Sequence, residues 1–415
     1  MPTSFPKSKI RAVLLECVHP VARERLEAEG FHVISSDKAL EGAALKKAVA
    51  DAHIVGIRSK TELTADVLAA APRLLAAGAF CIGTNQIALG DARRAGVAVF
   101  NSPFSNTRSV AELTIAEIIA LYRRMLDQSA KMHRGDWDKS AAGAHEIRGR
   151  TLGIIGYGHI GSQVSVMAEA MGMRVAFYDI IPKLPLGNAR PCRTLEELLK
   201  IADVLTIHVP ATPRTERMVG KAQLKLLQRG SIVINNARGS VVDIPALAAA
   251  IKDGHLAGAA LDVFPIEPAG KGERFISELQ GLPNVILTPH VGGSTEEAQA
   301  SIAEDVVGKL LAFVNNGSTS GAVNVPVVDL PEQAVDGQRR AFRILHFHRN
   351  VPGVLSQINA ACAELKVNIT GQYLQTREDV GYVVLDIDPV DAARSKRIKH
   401  RLEAVGETIR VRVLW

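Results

Sequence analysis

Short apolar runs alternate with amphipathic helical patterns over the first hundred residues of the chain. The apolar runs lie at residues 12–16, 31–34, 54–58, 74–77 and 97–100. Their apolar side chains stand at consecutive positions, which is typical of parallel strands covered by helices on both faces. The pattern therefore predicts a parallel α/β sheet.

A long amphipathic segment then leads into a second alternating series. Apolar residues recur at helical spacing over residues 109–131, which predicts one helix with Ser109 as its N-cap. The strands of the second series are predicted at residues 152–155, 174–178, 204–208, 232–235, 258–262 and 285–288, before another helix at 295–315. Two α/β units joined by two long helices suggest that the chain leaves the first domain, builds the second and returns. The active site is expected in the cleft between them.

The last eighty or so residues show a different order of predicted strands and helices. Residues 316–338, rich in Gly, Ser, Pro and Val, are predicted to form a linker. Beyond it, strands are predicted at 342–348, 368–376, 382–387 and 408–413, with helices at 353–365 and 391–405. The order β-α-β-β-α-β is that of the ferredoxin-like unit.

The predicted fold class is α/β with three domains. Two doubly wound, Rossmann-like parallel sheets are joined by two crossover helices, and a ferredoxin-like α+β domain follows. The predicted boundaries are residues 5–106 with 294–330 for the first domain, 107–293 for the second and 339–415 for the third. A chain of 415 residues is long enough for two or three separate cores.

Composition narrows the class of protein. Apolar residues make up 47% and charged residues 22%, as in soluble globular enzymes, and the net charge of +6 is small. The densest basic stretch, residues 394–401, is better explained as a solvated helix face than as a nucleic-acid patch. The four cysteines show no C-x-x-C spacing, and no apolar stretch is long enough to span a bilayer. We therefore expect a cytoplasmic protein without nucleic-acid or membrane partners.

The strand at 152–155 runs into a glycine-rich loop. Gly156, Gly158 and Gly161 form G-x-G-x-x-G between this strand and a helical segment. Gly156 permits the tight turn, Gly158 lets the backbone approach a pyrophosphate, and Gly161 lets helix and strand pack closely. The helix amides would bind the anion.

Asp179 strengthens this interpretation of a motif that is weak on its own. It ends the next predicted strand, eighteen residues beyond Gly161. A carboxylate there can accept hydrogen bonds from both ribose hydroxyls and would repel a 2′-phosphate. No Arg directly follows Asp179, so NAD is favoured over NADP as the cofactor. The alternative is a glycine turn in an α/β protein that binds no nucleotide.

Three other strands of the second series end in polar residues that suit oxidation of a 2-hydroxy acid. Arg238 offers a guanidinium for the carboxylate, His290 a base for the hydroxyl proton, and Glu267 a carboxylate that would orient the base and favour imidazolium. In a doubly wound sheet such strand ends converge on the ligand crevice. Each residue alone has an ordinary alternative, as a surface arginine, a turn glutamate or a helix-capping histidine.

These segments resemble the signature blocks of the D-isomer-specific 2-hydroxyacid dehydrogenases, at residues 156–161, 236–243, 260–268 and 289–294. The resemblance implies catalytic roles for Arg238, Glu267 and His290. It also implies that Asp262 meets the nicotinamide carboxamide. The other positions implied to contact the cofactor, besides the three loop glycines and Asp179, are His159, Ile160, Asn236, Ala237, Val291, Gly292 and Gly293.

More narrowly, residues 57–60, 81–86, 101–112 and 184–189 resemble the bacterial phosphoglycerate dehydrogenases that carry one C-terminal ACT domain. The resemblance implies 3-phosphoglycerate as substrate, in the first step of serine synthesis, and a homo-oligomer, expected to be a tetramer. A phosphorylated acid has two anionic ends, and Arg58 and Lys60, with Ser59, could face the phosphate across the cleft from Arg238. The Gly83 amide is a candidate donor to the substrate carboxylate. Lys139 matches a position that reaches a neighbouring subunit's site.

The C-terminal β-α-β-β-α-β pattern resembles an ACT domain, a module that binds amino acids. Gly353, at a strand-to-helix turn, would bring helix amides close to a ligand carboxylate. By the same resemblance, His348, Asn350 and Asn368 would contact serine as a feedback inhibitor, with Asn368 coming from the partner subunit. The alternative is a dimerisation domain that binds no ligand.

Two other functions stay open on the sequence. One is a dehydrogenase for another 2-hydroxy acid, such as glycerate, glycolate or 2-hydroxyglutarate. The other is a non-catalytic scaffold that senses NAD, which Arg238, Glu267 and His290 together argue against.

Overall fold

The computed structural model describes residues 5–268, 272–331, 334–335, 339–340 and 342–414. By its internal contacts the chain divides into two compact units, Met1–Ser105 with Gln299–Trp415, and Asn106–Ala298. The C-terminal sheet therefore belongs to the first unit. We retain the three-domain division as a proposal, because that sheet also has a core of its own around Ile344, Ile358 and Leu385.

The first unit contains a five-stranded parallel sheet in the order β2-β1-β3-β4-β5. Its strands are β1 (Arg11–Leu14), β2 (His32–Ser35), β3 (Ile54–Ile57), β4 (Ala76–Ala79) and β5 (Ala98–Asn101). Its helices are α1 (Pro20–Ala28), α2 (Gly42–Val49), α3 (Ala65–Ala69) and α4 (Leu89–Arg94). Every residue of β3, β4 and β5 is buried, as the continuous apolar runs predict for a sheet covered on both faces.

The second unit contains a seven-stranded parallel sheet in the order β12-β11-β10-β9-β6-β7-β8. Its strands are β6 (Thr151–Ile155), β7 (Arg174–Tyr178), β8 (Arg190–Pro191), β9 (Val204–Ile207), β10 (Ser231–Asn235), β11 (Leu256–Leu261) and β12 (Val285–Leu287). Its helices are α5 (Thr107–Tyr122), α6 (Met125–His133), α7 (His159–Ala170), α8 (Leu195–Ile201), α9 (Lys221–Leu224) and α10 (Ile244–Lys252). The strand order reverses between β6 and β9, the point where such sheets bind ligands.

The long helix α11 (Glu296–Asn316) begins at the boundary between the units. Short strands β13 (Ala334–Val335) and β14 (Arg339–Arg340) pair with each other. The remaining elements are β15 (Phe342–Arg349), α12 (Val354–Glu364), β16 (Ile369–Arg377), β17 (Val380–Ile387), α13 (Ala392–Glu403) and β18 (Thr408–Leu414). The strands form an antiparallel sheet in the order β16-β17-β15-β18. The predicted fold class is confirmed.

The prediction of one helix over residues 109–131 is wrong in two respects. The segment forms two helices, because Arg124 adopts a left-handed conformation (φ 50°) and the carbonyl of Tyr122 accepts a hydrogen bond from His145 N. The first helix begins at Thr107 with Asn106 as its N-cap. Ser109 lies inside the helix, and its hydroxyl is 2.9 Å from the Thr295 hydroxyl.

The predicted linker at 316–338 is wrong for its first half. Thr319, Val325 and Val328 are buried, and the Asn324 side chain accepts a hydrogen bond of 2.8 Å from Val99 N, within β5. Side-chain acceptors that replace a neighbouring strand hold this segment against the first sheet. Residues 332–333 and 336–338 of the predicted linker lie outside the described residues.

Candidate active site

The glycine-rich loop joins β6 to α7. Gly156 has φ 89°, and a Cβ there would lie 2.6 Å from the carbonyl oxygen of His208. A Cβ on Gly161 would lie 2.2 Å from the oxygen of Gly156. Neither position admits a side chain, so both glycines have packing roles. A Cβ on Gly158 would meet nothing within 4 Å, and this open space is what the approach of a pyrophosphate requires.

Asp179 lies directly after β7, beside this loop. Parallel pairing of β6 with β7 sets Ile155 opposite Tyr178, so the carboxylate reaches the loop. Its oxygens accept hydrogen bonds from Tyr157 N (2.8 Å) and Ile181 N (3.0 Å). A carboxylate oxygen can accept more than one hydrogen bond, so these contacts still permit the predicted contact with a ribose. His159 and Ile160 begin α7 at the same loop, and their contacts with a cofactor stay predictions.

Arg238 follows β10 in a loop held by its own backbone contacts. Its carbonyl accepts a hydrogen bond of 3.0 Å from the Asn235 side chain, and its guanidinium donates to Ala237 O at 2.6 Å. A Cβ on Gly239 would lie 1.9 Å from the carbonyl carbon of Phe264. The loop that carries Arg238 therefore contacts the loop that leads to Glu267, and only glycine permits this approach.

Asp262 organises the loop that carries His290. It is 1% exposed, and its carboxylate accepts hydrogen bonds from Thr288 Oγ1 (2.5 Å), Val291 N (2.8 Å) and Gly292 N (2.7 Å). These three bonds fix the backbone on both sides of the histidine. The predicted contact of Asp262 with a nicotinamide carboxamide stays a prediction.

Glu267 and His290 form a hydrogen-bonded pair. Glu267 Oε2 lies 2.9 Å from His290 Nδ1, and Glu267 Oε1 accepts a hydrogen bond of 3.0 Å from Phe264 N. His290 has φ 56°, a left-handed conformation that non-glycine residues rarely adopt and that clusters at functional sites. The histidine side chain is 53% exposed, so a substrate can reach it. With Nδ1 bound to a carboxylate, Nε2 is the nitrogen left for proton transfer.

The glycines after His290 keep this loop compact. A Cβ on Gly292 would lie 3.0 Å from Asp262 Oδ2, and one on Gly293 would lie 2.3 Å from the Asn106 side-chain nitrogen. Val291 is partly exposed, while Ala237 is buried near the end of β10. The structure thus brings Arg238, Asp262, Glu267 and His290 to one edge of the seven-stranded sheet, on neighbouring strands β10, β11 and β12.

The residues predicted to bind a phosphate lie in the first unit, on the loop after β3. The buried carboxylate of Glu16 accepts hydrogen bonds from the backbone amides of Arg58 (3.2 Å), Lys60 (2.9 Å) and Thr61 (2.7 Å). The Gln86 side chain donates to the carbonyl of Arg58. Arg58 is half-buried, and Ser59 and Lys60 are exposed. The loop is therefore rigid in its backbone while its cations remain available.

Gly83 and Lys139 occupy exposed or half-exposed loops. Gly83 has open space at its Cβ position, and its carbonyl contacts the Cys81 thiol at 3.1 Å, beside the loop that carries Arg58. Lys139 is exposed after α6. Their roles toward a substrate stay predictions.

The predicted effector residues lie in the C-terminal sheet domain. His348, at the end of β15, is 3% exposed; its Nδ1 bonds to Arg349 O at 2.8 Å, and its Nε2 has no hydrogen-bond partner. Asn350 donates to Glu378 O at 3.0 Å, and Asn368 is exposed just before β16. Gly353 caps α12 with φ 90°. Burial lowers the pKa of His348, so the ring is neutral near pH 7.

Three residues at these sites were not anticipated from the sequence. They are the buried acids Glu16 and Glu117 and the half-buried His208, which follows β9 next to Gly156. Glu117 accepts a hydrogen bond of 2.7 Å from Asn236 Nδ2, two residues before Arg238. A charged residue inside an apolar run, as in the α5 segment around Glu117, is the signal that could have found it.

Comparisons with known proteins show the family to which the chain belongs. Residues 115–292 match the family model of the D-isomer specific 2-hydroxyacid dehydrogenase NAD binding domain. The chain is 52% identical over 413 residues to a D-3-phosphoglycerate dehydrogenase of Haemophilus influenzae, covering 99% of each chain. The chain belongs to the phosphoglycerate dehydrogenase branch of the D-2-hydroxyacid dehydrogenase family. Residues 344–410 match an AHAS small subunit-like ACT domain, as the C-terminal pattern predicts.

Solved structures extend the comparison to the fold. A Thermus thermophilus protein superimposes with a TM-score of 0.69 at 34% identity, covering 76% of this chain and all of that one. D-lactate dehydrogenase from Aquifex aeolicus, solved with NAD and lactic acid, gives a TM-score of 0.66 at 28% identity, over 76% of this chain and 99% of that one. The cofactor of this family member is NAD. The open cradle at Gly158 and the carboxylate of Asp179 fit that group.

Two kinds of feature are absent from the described residues, a membrane-spanning helix and a metal-binding cluster. No helix there combines the length and apolar character that a bilayer-spanning segment needs. Nor does any cluster of three or more His, Cys, Asp or Glu residues in those ranges suit a metal ion.

Proposed function

We propose that the protein oxidises 3-phospho-D-glycerate to 3-phosphohydroxypyruvate with NAD, the first step of L-serine synthesis. The main observation in favour of this type of reaction is the pair of Glu267 and the accessible His290, whose Oε2 and Nδ1 atoms are 2.9 Å apart. The pair lies at the sheet edge where Arg238 also lies. The substrate is supported by the full-length similarity to an enzyme named for it and by the cationic loop after β3.

The residues divide the chemistry among them. Arg238 binds the substrate carboxylate and polarises C2 through its bidentate fork. Neutral His290 accepts the hydroxyl proton at Nε2, and Glu267 stabilises the imidazolium that forms. Bound NAD supplies the hydride acceptor. In the reverse direction protonated His290 returns the proton to the keto oxygen.

The phosphate group is the basis of substrate choice in this proposal. Arg58 and Lys60 bind it, and Ser59 donates a hydrogen bond. The Gly83 amide donates to the substrate carboxylate, and Lys139 acts at the site of a neighbouring subunit. A dianionic phosphate gains charge-assisted hydrogen bonds from such cations that an unphosphorylated acid lacks.

The ACT domain indicates an amino acid as effector, and we propose that this amino acid is serine. Its polar groups would be bound by His348 and Asn350 of one chain and Asn368 of the other, which requires an oligomer; we propose a homotetramer. His348 offers a buried ring nitrogen without a partner, and Gly353 leaves the first turn of α12 open. We also propose a cytoplasmic location, without nucleic-acid or membrane partners.

The deciding experiment measures NADH formation with 3-phosphoglycerate and with unphosphorylated glycerate. We expect kcat/KM to favour the phosphorylated acid, and the double variant Arg58→Gln/Lys60→Gln to lose most of that preference. Lys38→Gln, an exposed lysine of the first unit, is the matched control. Equal kcat/KM for both acids would assign another 2-hydroxy acid as substrate. Absence of turnover together with tight NAD binding would favour an NAD-sensing scaffold.

A further inference from the structure

The first unit contains a second group of cations, away from the loop after β3. They line an open cavity of about 950 Å³ where the start of β1 and residues 72–75 approach β18. Its charged or titratable lining residues are Lys9, Arg11, His32, His53, Arg73, Arg410 and Arg412. No Asp or Glu is among the described residues that line it. We call it the β1–β18 cavity.

Two of these cations, Arg410 and Arg412 on β18, are held by backbone carbonyls. Arg412 donates to Val314 O at 2.7 Å and Phe313 O at 3.4 Å, and Arg410 donates to Leu74 O. Carbonyl oxygens orient a guanidinium but do not neutralise its charge. Neither arginine forms an ion pair with a described carboxylate, and burial lowers the pKa of Arg412 to about 10. Both still carry their charge at pH 7, in surroundings that disfavour it.

On the opposite wall of the cavity, nearby acids only weakly compensate the positive charge. Arg11 and Arg73 share the carboxylate of Asp51, at 3.6 Å and 3.5 Å. His53 accepts a hydrogen bond from Arg11 N at Nδ1 (3.1 Å), so in its neutral form it carries its hydrogen on Nε2 and can donate it. Burial, and then the charges of Arg73 and Arg11, lower the pKa of His53. The histidine is therefore a neutral donor among cations.

An adjoining cavity of about 730 Å³ shares Arg412 and His53 with the first and has the same sign of charge. It adds Lys7, Lys396 and Lys399, with Glu29 as its single described acid. Lys7 pairs with Glu29 and Lys399 with Glu403, so the cations without a carboxylate partner at the centre are Arg410 and Arg412. Cations that outnumber the acids on a concave surface favour an anionic ligand, and guanidinium groups match phosphate oxygens in geometry. The site lies between two domains of one unit, where small-molecule sites are common.

We propose that the β1–β18 cavity binds a small polyanion of the phosphate class, carrying two or more phosphate groups. Its oxygens accept hydrogen bonds from Lys9, Arg11, Arg73, Arg410 and Arg412. Because the ligand contacts both the five-stranded sheet domain and β18 of the ACT domain, its binding stabilises the packing of those domains on each other. None of the residues that line the β1–β18 cavity is among those proposed for catalysis or for binding substrate or serine.

The test is calorimetric titration of the full-length protein with inorganic pyrophosphate at constant ionic strength, compared with sulfate and chloride. Arg73→Gln and Lys9→Gln remove exposed lining cations and leave the carbonyl-bound arginines intact. We expect each to weaken pyrophosphate about tenfold, the loss of one charge-assisted contact. Arg23→Gln is the matched control, since it removes an exposed arginine of the same unit that pairs with Glu27 on α1.

Arg58→Gln/Lys60→Gln separates this site from the proposed substrate site. Pyrophosphate binding that survives this double variant and Arg23→Gln, but is weakened by Arg73→Gln and Lys9→Gln, supports the proposal. Binding that the double variant abolishes, with Arg73→Gln unaffected, assigns the anion to the loop after β3 and overturns it. If Arg23→Gln loses as much pyrophosphate affinity as Arg73→Gln, or if chloride binds as tightly as pyrophosphate, general surface charge explains the binding and the proposal is overturned. The absence of a signal at millimolar pyrophosphate also overturns it.

Discussion

Glu117 and Asn236 are joined by a hydrogen bond of 2.7 Å, donated by Asn236 Nδ2 to Glu117 Oε2 in the buried interior of the second unit. Asn236 also donates to Thr114 Oγ1 at 3.1 Å, so α5 holds the residue two positions before Arg238. Burial, with the charge of Asp262 adding to it, raises the pKa of Glu117 to about 8. A neutral carboxylic acid therefore supports the catalytic loop near pH 7.

This pKa predicts a specific pH dependence of stability. An unfolded glutamate ionises near pH 4.3, so between about 4.5 and 8 the folded protein keeps a proton that the unfolded chain releases. The stability contributed by Glu117 therefore falls as pH rises through that window. We expect the Tm of Glu117→Gln minus the Tm of the wild type to increase as pH rises, and to become constant above pH 8. Glu112→Gln removes an exposed acid on the same helix, and its plot of Tm against pH should be parallel to that of the wild type. If the plot of Tm against pH for Glu117→Gln were also parallel to that of the wild type, the raised pKa of Glu117 would be contradicted.

The second prediction concerns the carboxylate that orients His290. Glu267→Gln keeps the size of the side chain but removes the charge that stabilises imidazolium. We expect kcat to fall about 10- to 100-fold with a smaller change in KM, as for other groups that orient a functional histidine. Glu273→Gln, another acid of the same connecting segment, is the control. Unchanged kcat in Glu267→Gln would remove this carboxylate from the proton-transfer step.

The third prediction tests cofactor selection at Asp179. Replacing Asp179 with Ala removes a ribose acceptor and a charge that repels the 2′-phosphate of NADP. The ratio of kcat/KM for NAD over NADP should therefore drop, by roughly ten-fold or more for the loss of one charged contact. Asp203→Ala, at the start of β9, is a control for loss of an acid that accepts a backbone amide. A ratio that does not move would place Asp179 away from the ribose.

The fourth prediction concerns Glu16, which accepts three amides of the loop that carries Arg58 and Lys60. Glu16→Ala leaves these amides without their acceptor, which should lower the free energy of unfolding by about 1–3 kcal/mol. It should also raise KM for 3-phosphoglycerate while leaving KM for NAD unchanged. Steady-state kinetics with both substrates and urea denaturation measure these effects. Glu24→Ala, which removes an exposed acid of α1, should change neither the free energy of unfolding nor KM for 3-phosphoglycerate. Equal rises in both KM values would indicate a general loss of structure.

The fifth prediction addresses regulation by serine. Asn350→Ala should raise the serine concentration needed for half-inhibition ten- to hundred-fold, the loss of one or two hydrogen bonds to a zwitterion. Its kcat and KM without serine should stay close to those of the wild type, because Asn350 lies in the ACT domain. Gln357→Ala, an exposed amide on α12, is the control. If millimolar serine fails to inhibit the wild type, the ACT domain binds another effector or mediates dimerisation only.

The sequence by itself determined the three sheets, the glycine loop and the residue types of the candidate site. Buried parallel strands read as continuous apolar runs, and the polar residues that follow them, such as Arg238 and His290, must lie at one sheet edge. These features depend on local periodicity and on the direction of strands, which neighbouring residues specify.

Only the tertiary structure decided what supports those residues. Glu117 and Glu16 contact loops that lie far from them along the chain, and Asp262 fixes the turn at His290 from the preceding strand. The break at Arg124 and the packing of residues 316–331 likewise depend on partners distant in sequence. Such contacts are set by how elements pack together, and a hydrogen bond between residues separated by a hundred positions leaves no periodic signal in the chain.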